Sequence, residues 1–281
     1  MRIRIAHATT YRYAAPPKIV TQTLRLTPRN HDGQFVANWR IGISADCALF
    51  AHDDAFGNLS HTFTAEGPFD ELTVSVDGEI ETQDTNGLVT GTVERFPPSL
   101  FLRETTLTQA DAAIIAFSET ARAAGDTLAM LHHLLGKIYG EMTFDPNPTH
   151  PATTAVESFA LKRGVCQDLT HIFIACARNL GIPARYIGGY FCRADGVTAQ
   201  EAGHAWAETY VSDELGWVAF DPANGICATD AHVRVAMGLD YLGAAPVRGT
   251  RIGGGDESME VEVHVLPAHQ TQSQAQTQSQ A

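Results

Sequence analysis

Residues 164–190 read GVCQDLTHIFIACARNLGIPARYIGGY, and this stretch decides the fold. Leu169, Ile172, Phe173, Cys176 and Leu180 recur at intervals of three and four, which places them on one apolar stripe of a helix. Gly181-Ile182-Pro183 stops it, because glycine accepts the left-handed conformation past a helix end and proline cannot continue the hydrogen-bond ladder. The spacing predicts a helix from about Cys166 to Gly181. Gly164 is expected to break a preceding helix, so Cys166 falls in the first turn of the new one. There the unpaired backbone N–H groups and the helix dipole favour a thiolate.

Working outward, strands are predicted at Ala184–Phe191, His204–Val211, Gly216–Asp221 and Met259–Leu266. Upstream, Thr108 with Asp111 and Thr154 with Glu157 have the spacing of helix-opening capping residues. Leu128, Leu131, Leu134, Leu135 and Ile138 predict an amphipathic helix from Thr127 to Met142. Helices first and antiparallel strands afterwards define an α+β domain. Before Pro97-Pro98 the period is two instead: Ile3 and Ile5, Leu24 and Leu26, Phe35 through Ile43, and Leu72, Val74 and Val76 alternate with polar residues. An antiparallel β-sandwich is expected there. The predicted division is 1–100 for the β domain, 101–267 for the α+β core and 268–281 for a Gln/Ser/Thr/Ala tail too polar to bury anything, expected to be disordered.

Lys and Arg number 19 against 32 Asp and Glu, a formal net charge of −13. Up to Leu100 there are 8 basic and 12 acidic residues, so neither half is basic. No Lys/Arg run is present, which argues against nucleic acid and anionic membrane surfaces as partners. A peptide or protein substrate fits better, and the oligomeric state is not legible. The first residues, MRIRIAHATTYRY, alternate without the apolar core of a signal peptide, and a cytoplasmic location is the expectation. The five cysteines, Cys47, Cys166, Cys176, Cys192 and Cys227, include no CxxC pair, which favours free thiols over a disulfide framework or zinc site. His132 and His133 point to different sides of one helix and make a poor metal site. No metal or cofactor is expected.

Three residues carry chemistry when read together. A free cysteine is ordinarily a small core residue, as Cys176 on the apolar stripe illustrates. His204, opening a strand after Gly203, is ordinarily a surface or capping residue, and Asp221 before Pro222 ordinarily starts a turn. Yet one helix followed by successive strands can bring His204 and Asp221 side by side with the helix start packed against them. A thiol, an imidazole to take and return its proton, and a carboxylate to hold that imidazole are the parts of nucleophilic catalysis. Asp168 is read as a cap of first-turn N–H groups. Tyr190, Trp206, Asp240 and Tyr241 are candidate substrate-binding residues, with core packing as the competing reading for the aromatic ones.

The motifs GVCQDLTHIFIACARNLGIPARYIGGY, GHAW and GWVAFDPANG resemble the transglutaminase-like core of a bacterial family of candidate cysteine proteases, over roughly Leu107 to Pro267. YRYAAPP, LRLTPR and DAFGN resemble that family's amino-terminal β domain. The resemblance implies a papain-like core with Cys166 as nucleophile, His204 as base and Asp221 as orienting acid. VAMGLDY and APVRG also match, although the family pattern has Arg where Leu239 stands and often Ser where Gly203 stands. The implied activity is acyl transfer from an amide or peptide bond. Hydrolysis is favoured, because water needs no second site and nothing resembles a calcium loop; an amine acceptor or a catalytically idle scaffold are the alternatives. The Cys166 N–H is the first candidate oxyanion donor, and a second is not legible.

Overall fold

The computed structural model describes residues 1–268. The tail expected to be disordered, 268–281, lies outside the described residues apart from Ala268. The chain opens with β1 (Arg2–Tyr13), β2 (Pro17–Thr27), β3 (Gln34–Ile43), β4 (Leu49–Asp53), β5 (Leu59–Glu66), β6 (Glu71–Thr82) and the short β7 (Leu88–Val89). There follow α1 (Ala112–Glu119), α2 (Thr127–Glu141), β8 (Thr143–Phe144), α3 (Ala155–Leu161), β9 (Arg163–Gly164) and α4 (Cys166–Asn179). The remainder is β10 (Ala184–Phe191), β11 (Ala199–Gln200), β12 (His204–Ser212), β13 (Gly216–Asp221), β14 (Ile226–Cys227), β15 (His232–Gly238), α5 (Tyr241–Ala244), β16 (Val247–Gly253) and β17 (Glu257–Pro267). This is the α+β fold that the periodicities predict.

Three antiparallel sheets result. One has the order β11-β17-β1-β6-β3 and a second β16-β2-β5-β4. In the third, β14-β13-β12-β10-β15, β7 also pairs with β13. The pairing departs from the predicted division at residue 100. β16 runs beside β2 and β17 beside β1, so residues 247–267 return to the amino-terminal sheets instead of completing a 101–267 unit. The alternation of Val261, Val263 and Val265 suits a half-buried strand wherever an edge is free, and the edge of β1 is what it finds.

Alternate side chains of β1 are buried, yet not in one core. Ile3 and Ile5 pack with Ile80, Val263 and Val265 against the helical core, whereas Tyr11 and Tyr13 pack with Leu24, Phe63 and Leu72 between the first two sheets. His7 and Thr9, on the same face, fall at the seam between the two clusters. A polar interruption of an apolar parity thus marks where a cavity opens.

α4 is the central element, packed against α1, α2 and α3 and against β10 and β12. Every residue from Asp168 to Arg178 is buried. Ile172, Phe173 and Ile174 are fully so, each contributing about 1.5–3 kcal/mol relative to exposure. The helix ends at Asn179, with Gly181 left-handed at φ +80° and Ile182 N–H donating to the Ala177 carbonyl at 2.9 Å, the stop that Gly-Ile-Pro predicts. Arg178 is buried in this apolar setting because its guanidinium donates to the carbonyls of Phe101, Ala184 and Leu239 and to Thr108 Oγ1.

Other local expectations shift. Asp111, not Thr108, caps α1, accepting from Ile114 N–H at 2.9 Å, while Thr108 closes a short 3-10 turn. Thr154 and Glu157 form the predicted reciprocal cap of α3. That helix ends at Leu161 with Lys162 left-handed, so Gly164 does not break it. In β3 the pairing register shifts between Val36 and Asn38, which turns Phe35 outward to 55% exposure and breaks the single parity predicted from Phe35 to Ile43. No helix among the described residues is long and apolar enough to cross a membrane.

Candidate active site

Cys166 is the first residue of α4, and the preceding backbone is held by its own helix. Asp168 does not cap the first-turn N–H groups as predicted: its Oδ2 accepts the N–H of Val165, the residue before the helix, at 2.8 Å, and the first-turn N–H groups are left without intrahelical acceptors. The aspartate can fold back because residue 164 is glycine: a Cβ there would lie 2.6 Å from Asp168 Cβ and 2.8 Å from Ser158 Oγ. Burial pushes the Asp168 carboxyl up, and the Val165 bond opposes that shift.

His204 begins β12 and Asp221 ends β13, on neighbouring antiparallel strands. His204 Nε2 lies 2.7 Å from Asp221 Oδ2. Gly203, where the family pattern often has serine, passes close to β10, and a Cβ there would lie 2.8 Å from the Gly189 carbonyl oxygen. Burial alone disfavours the His204 imidazolium. The Asp221 charge and hydrogen bond outweigh it, Cys166 adds a hydrogen bond and charge of the same sign, and the imidazole is raised to about 10. With Nε2 committed to Asp221, Nδ1 is the nitrogen left for the thiol.

Asp221 is both the turn residue and the imidazole partner. Oδ1 accepts the N–H groups of Ala223 and Asn224 at 3.0 and 3.2 Å, the Asp-Pro turn. Oδ2 accepts the Asn224 side-chain amide at 2.6 Å and faces both His204 and His232. His232 Nδ1 accepts the Thr229 N–H at 3.0 Å, so its proton sits on Nε2 and is donated to Asp221 at 3.0 Å. Burial raises the Asp221 carboxyl, but the charge and hydrogen bond of His204, then those of His232, hold it well below the usual range. Among the described residues, His204, Asp221 and His232 also bring three ligand-type atoms within 4.8 Å of one another. The hydrogen bonds above account for each of those atoms. His232 and Asn224 were missed in the sequence. His232 lies in an unpredicted strand, and the only signal for Asn224 is that it is the first polar residue after Asp221-Pro222.

A cavity of about 340 Å³ opens beside Cys166 and His204. Its walls include Tyr190 and Tyr241, two of the candidate substrate-binding residues. Tyr190 O–H pairs with His7 Nδ1 at 2.9 Å, and the Tyr241 N–H donates to His171 Nε2 at 3.1 Å. Trp206 and Asp240 are placed elsewhere. Trp206 packs with Phe101 and Trp217 and stacks behind His204 at 6.1 Å. Asp240 caps α5, accepting the Gly243 N–H at 3.2 Å. Tyr186, which sequence reasoning passed over, lines the cavity, and burial together with the charge of Cys166 keeps its hydroxyl protonated. Leu239, where the family pattern has arginine, packs on the cluster that holds Trp206. His132 packs near Phe220 and His133 near Thr120, on separate faces of α2.

The transglutaminase-like superfamily model matches residues 115–222, and the model of the bacterial transglutaminase-like N-terminal region matches residues 3–81. Residues 115–222 thus form a transglutaminase-like core region and residues 3–81 a bacterial transglutaminase-like N-terminal region. An uncharacterized protein of Mycobacterium leprae is 29% identical over 287 residues, covering 94% of this chain and 98% of its own length. An uncharacterized protein of Mycobacterium tuberculosis is 29% identical over 305 residues, covering 95% and 93%. The crystal structure of a cysteine-protease candidate from Cytophaga hutchinsonii aligns with a TM-score of 0.73 at 20% identity, covering 95% of this chain and 91% of that one. At that identity the likeness speaks to the fold.

Proposed function

We propose that the protein is a cysteine-nucleophile acyl-transfer enzyme acting on amide or peptide bonds, with Cys166, His204 and Asp221 as its catalytic triad. The observation that carries this reading is the 2.7 Å pairing of His204 with Asp221 beside a thiol at a helix start. The thiolate attacks the carbonyl carbon, forming the C–S bond. The resulting oxyanion is met by the Cys166 N–H and, from the cavity wall, the Tyr186 O–H. His204, protonated at neutral pH, gives its proton to the departing amine as the C–N bond breaks. Now neutral, it takes a proton from the incoming water, whose oxygen displaces the thiolate and releases the acid. Asp221 holds the ring and its charge throughout.

Water is the proposed acceptor. Proximity is the chief advantage that an amine site confers over water at ~55 M, and the cavity's charged walls, Arg25 and Glu201, make no dedicated amine-holding cluster. The amino-terminal strands, in this reading a β-sandwich, close the cleft on the substrate side. The test is incubation of a short glutamine-containing peptide with millimolar amine, followed by mass spectrometry. The acid product dominates if the protein is a hydrolase; mainly amine-adducted product would make it a transglutaminase.

A further inference from the structure

The cavity has more wall than the chemistry requires, and most of it is apolar. Tyr186 and Tyr241, ring against ring at 6.2 Å, line it from the core, while Tyr11, Leu26, Val247 and Val261 approach from the amino-terminal sheets and the strands that rejoin them. Its polar groups are largely occupied with one another. His7 bridges Tyr190 O–H and Thr9 Oγ1 at 2.9 and 3.1 Å, and burial lowers its imidazole to about 4, so it is neutral. Arg25 directs Nε to Asp54 at 2.8 Å. Glu201 is the other charged wall residue beyond the histidines. At about 340 Å³ the space is near the lower end of the ~300–1,000 Å³ typical of ligand pockets, suited to one or two side chains.

We infer that this cavity receives a bulky apolar side chain of the acyl donor, of the leucine or phenylalanine class, and that β1 and β17 set this preference. The inference rests on the proposed nucleophile. Only the acyl portion stays attached to Cys166 through both chemical steps, so an anchor on that side acts on acylation and deacylation alike. The one carboxylate on the walls, Glu201, is exposed at the rim, so no buried carboxylate awaits a cationic side chain, and Arg25 is already paired with Asp54 through Nε.

The test uses peptidyl chloromethyl ketones identical except at the residue next to the electrophile, with Phe, Leu, Ala, Glu or Lys there. Rates of Cys166 modification are followed by mass spectrometry on the full chain and normalised to its rate with iodoacetamide. Phe and Leu are expected to exceed Ala, Glu and Lys by about 10-fold or more, the discrimination an apolar pocket gives per methylene or above. Val261→Phe narrows the cavity and is expected to shift the ratio from Phe toward Leu and Ala; Met259→Ala, at a position 59% exposed, widens it and shifts the ratio toward Phe. Equal rates across the series with intact iodoacetamide reactivity would overturn the inference and leave the thiol reading standing. A preference for Glu would also overturn it, by showing that Arg25 reads the substrate. Absence of Cys166 modification by every reagent, iodoacetamide included, overturns both.

Discussion

His232 donates from Nε2 to Asp221 Oδ2 at 3.0 Å, the same oxygen that His204 faces. The carboxylate is therefore steered by an imidazole whose tautomer the Thr229 backbone fixes. Replacing that ring by an apolar one, His232→Phe, removes a hydrogen bond to a charged group. We expect kcat/KM to fall between about 10- and 100-fold, corresponding to about 1.5–3 kcal/mol. His232→Gln, which keeps a donor, is expected to recover part of the loss; equal rates in the two variants would show that the ring acts by packing alone.

The pH profile follows from His204. Its imidazole is raised to about 10, so the proton needed by the leaving amine is present at neutrality and lost as pH rises through that value. kcat/KM is expected to hold through the mildly alkaline range and then fall. Asp221→Asn removes the charge that raises the imidazole, and should move that limb toward ~6.5. The same pairing contributes stability fully below the unfolded value of ~6.5 and loses it as pH rises through about 10. An unmoved limb in Asp221→Asn would contradict the assignment.

Tyr186 supplies the proposed second oxyanion donor. Tyr186→Phe deletes one hydroxyl from the cavity wall and is expected to lower kcat by about 10²-fold with KM little changed, as loss of one such donor does. A rise in KM at constant kcat would instead make Tyr186 a substrate-binding residue.

Much of the fold was legible because α4 and its neighbours obey one period each. Its stripe, its Gly-Ile-Pro stop, and the strands His204–Ser212 and Gly216–Asp221 stand where the pattern puts them. The pairing partners of late strands were not legible. Val261, Val263 and Val265 show that a strand exists, whereas its place beside β1 depends on which sheet edge is open after the helices have packed. The β3 irregularity was hidden for a related reason, since a bulge needs only one residue that no parity reveals. In the site, Cys166, His204 and Asp221 could be proposed as a set. The cavity walls could be proposed only in part: Tyr190 and Tyr241 lie near the motifs, whereas Tyr11 and Val261 come from strands far away in sequence. Trp206 looked like a cleft aromatic because it shares a motif with His204; two residues along β12 it does share the imidazole's face, but it stacks behind the ring and packs with Phe101 and Trp217 instead of lining the cavity.

Stability in acid should hinge on Glu208. Its carboxylate is fully buried between Arg185 Nε at 2.7 Å and Arg234 Nε at 2.8 Å. Burial disfavours its charge, but Arg234 and Arg185 outweigh that and lower it to about 2. A depressed carboxyl stabilises above its unfolded value of ~4.3, and the contribution is lost as pH falls from there through about 2. Glu208→Ala leaves two arginines without their buried partner and is expected to cost about 3–5 kcal/mol in chemical denaturation at neutral pH. A loss under ~1 kcal/mol would show the cluster to be solvent-screened.

The central claim is that Cys166 is the nucleophile, and selective alkylation tests it most directly. Burial raises the thiols of Cys176, to about 12, and of Cys47, Cys192 and Cys227. Cys166 instead faces an imidazolium at a helix start. With iodoacetamide at about pH 6 and mass mapping of each cysteine, modification should fall on Cys166 at least about 10-fold faster than on the other four, and His204→Ala should remove that advantage. Equal rates at all five thiols, with no change in His204→Ala, would contradict the account.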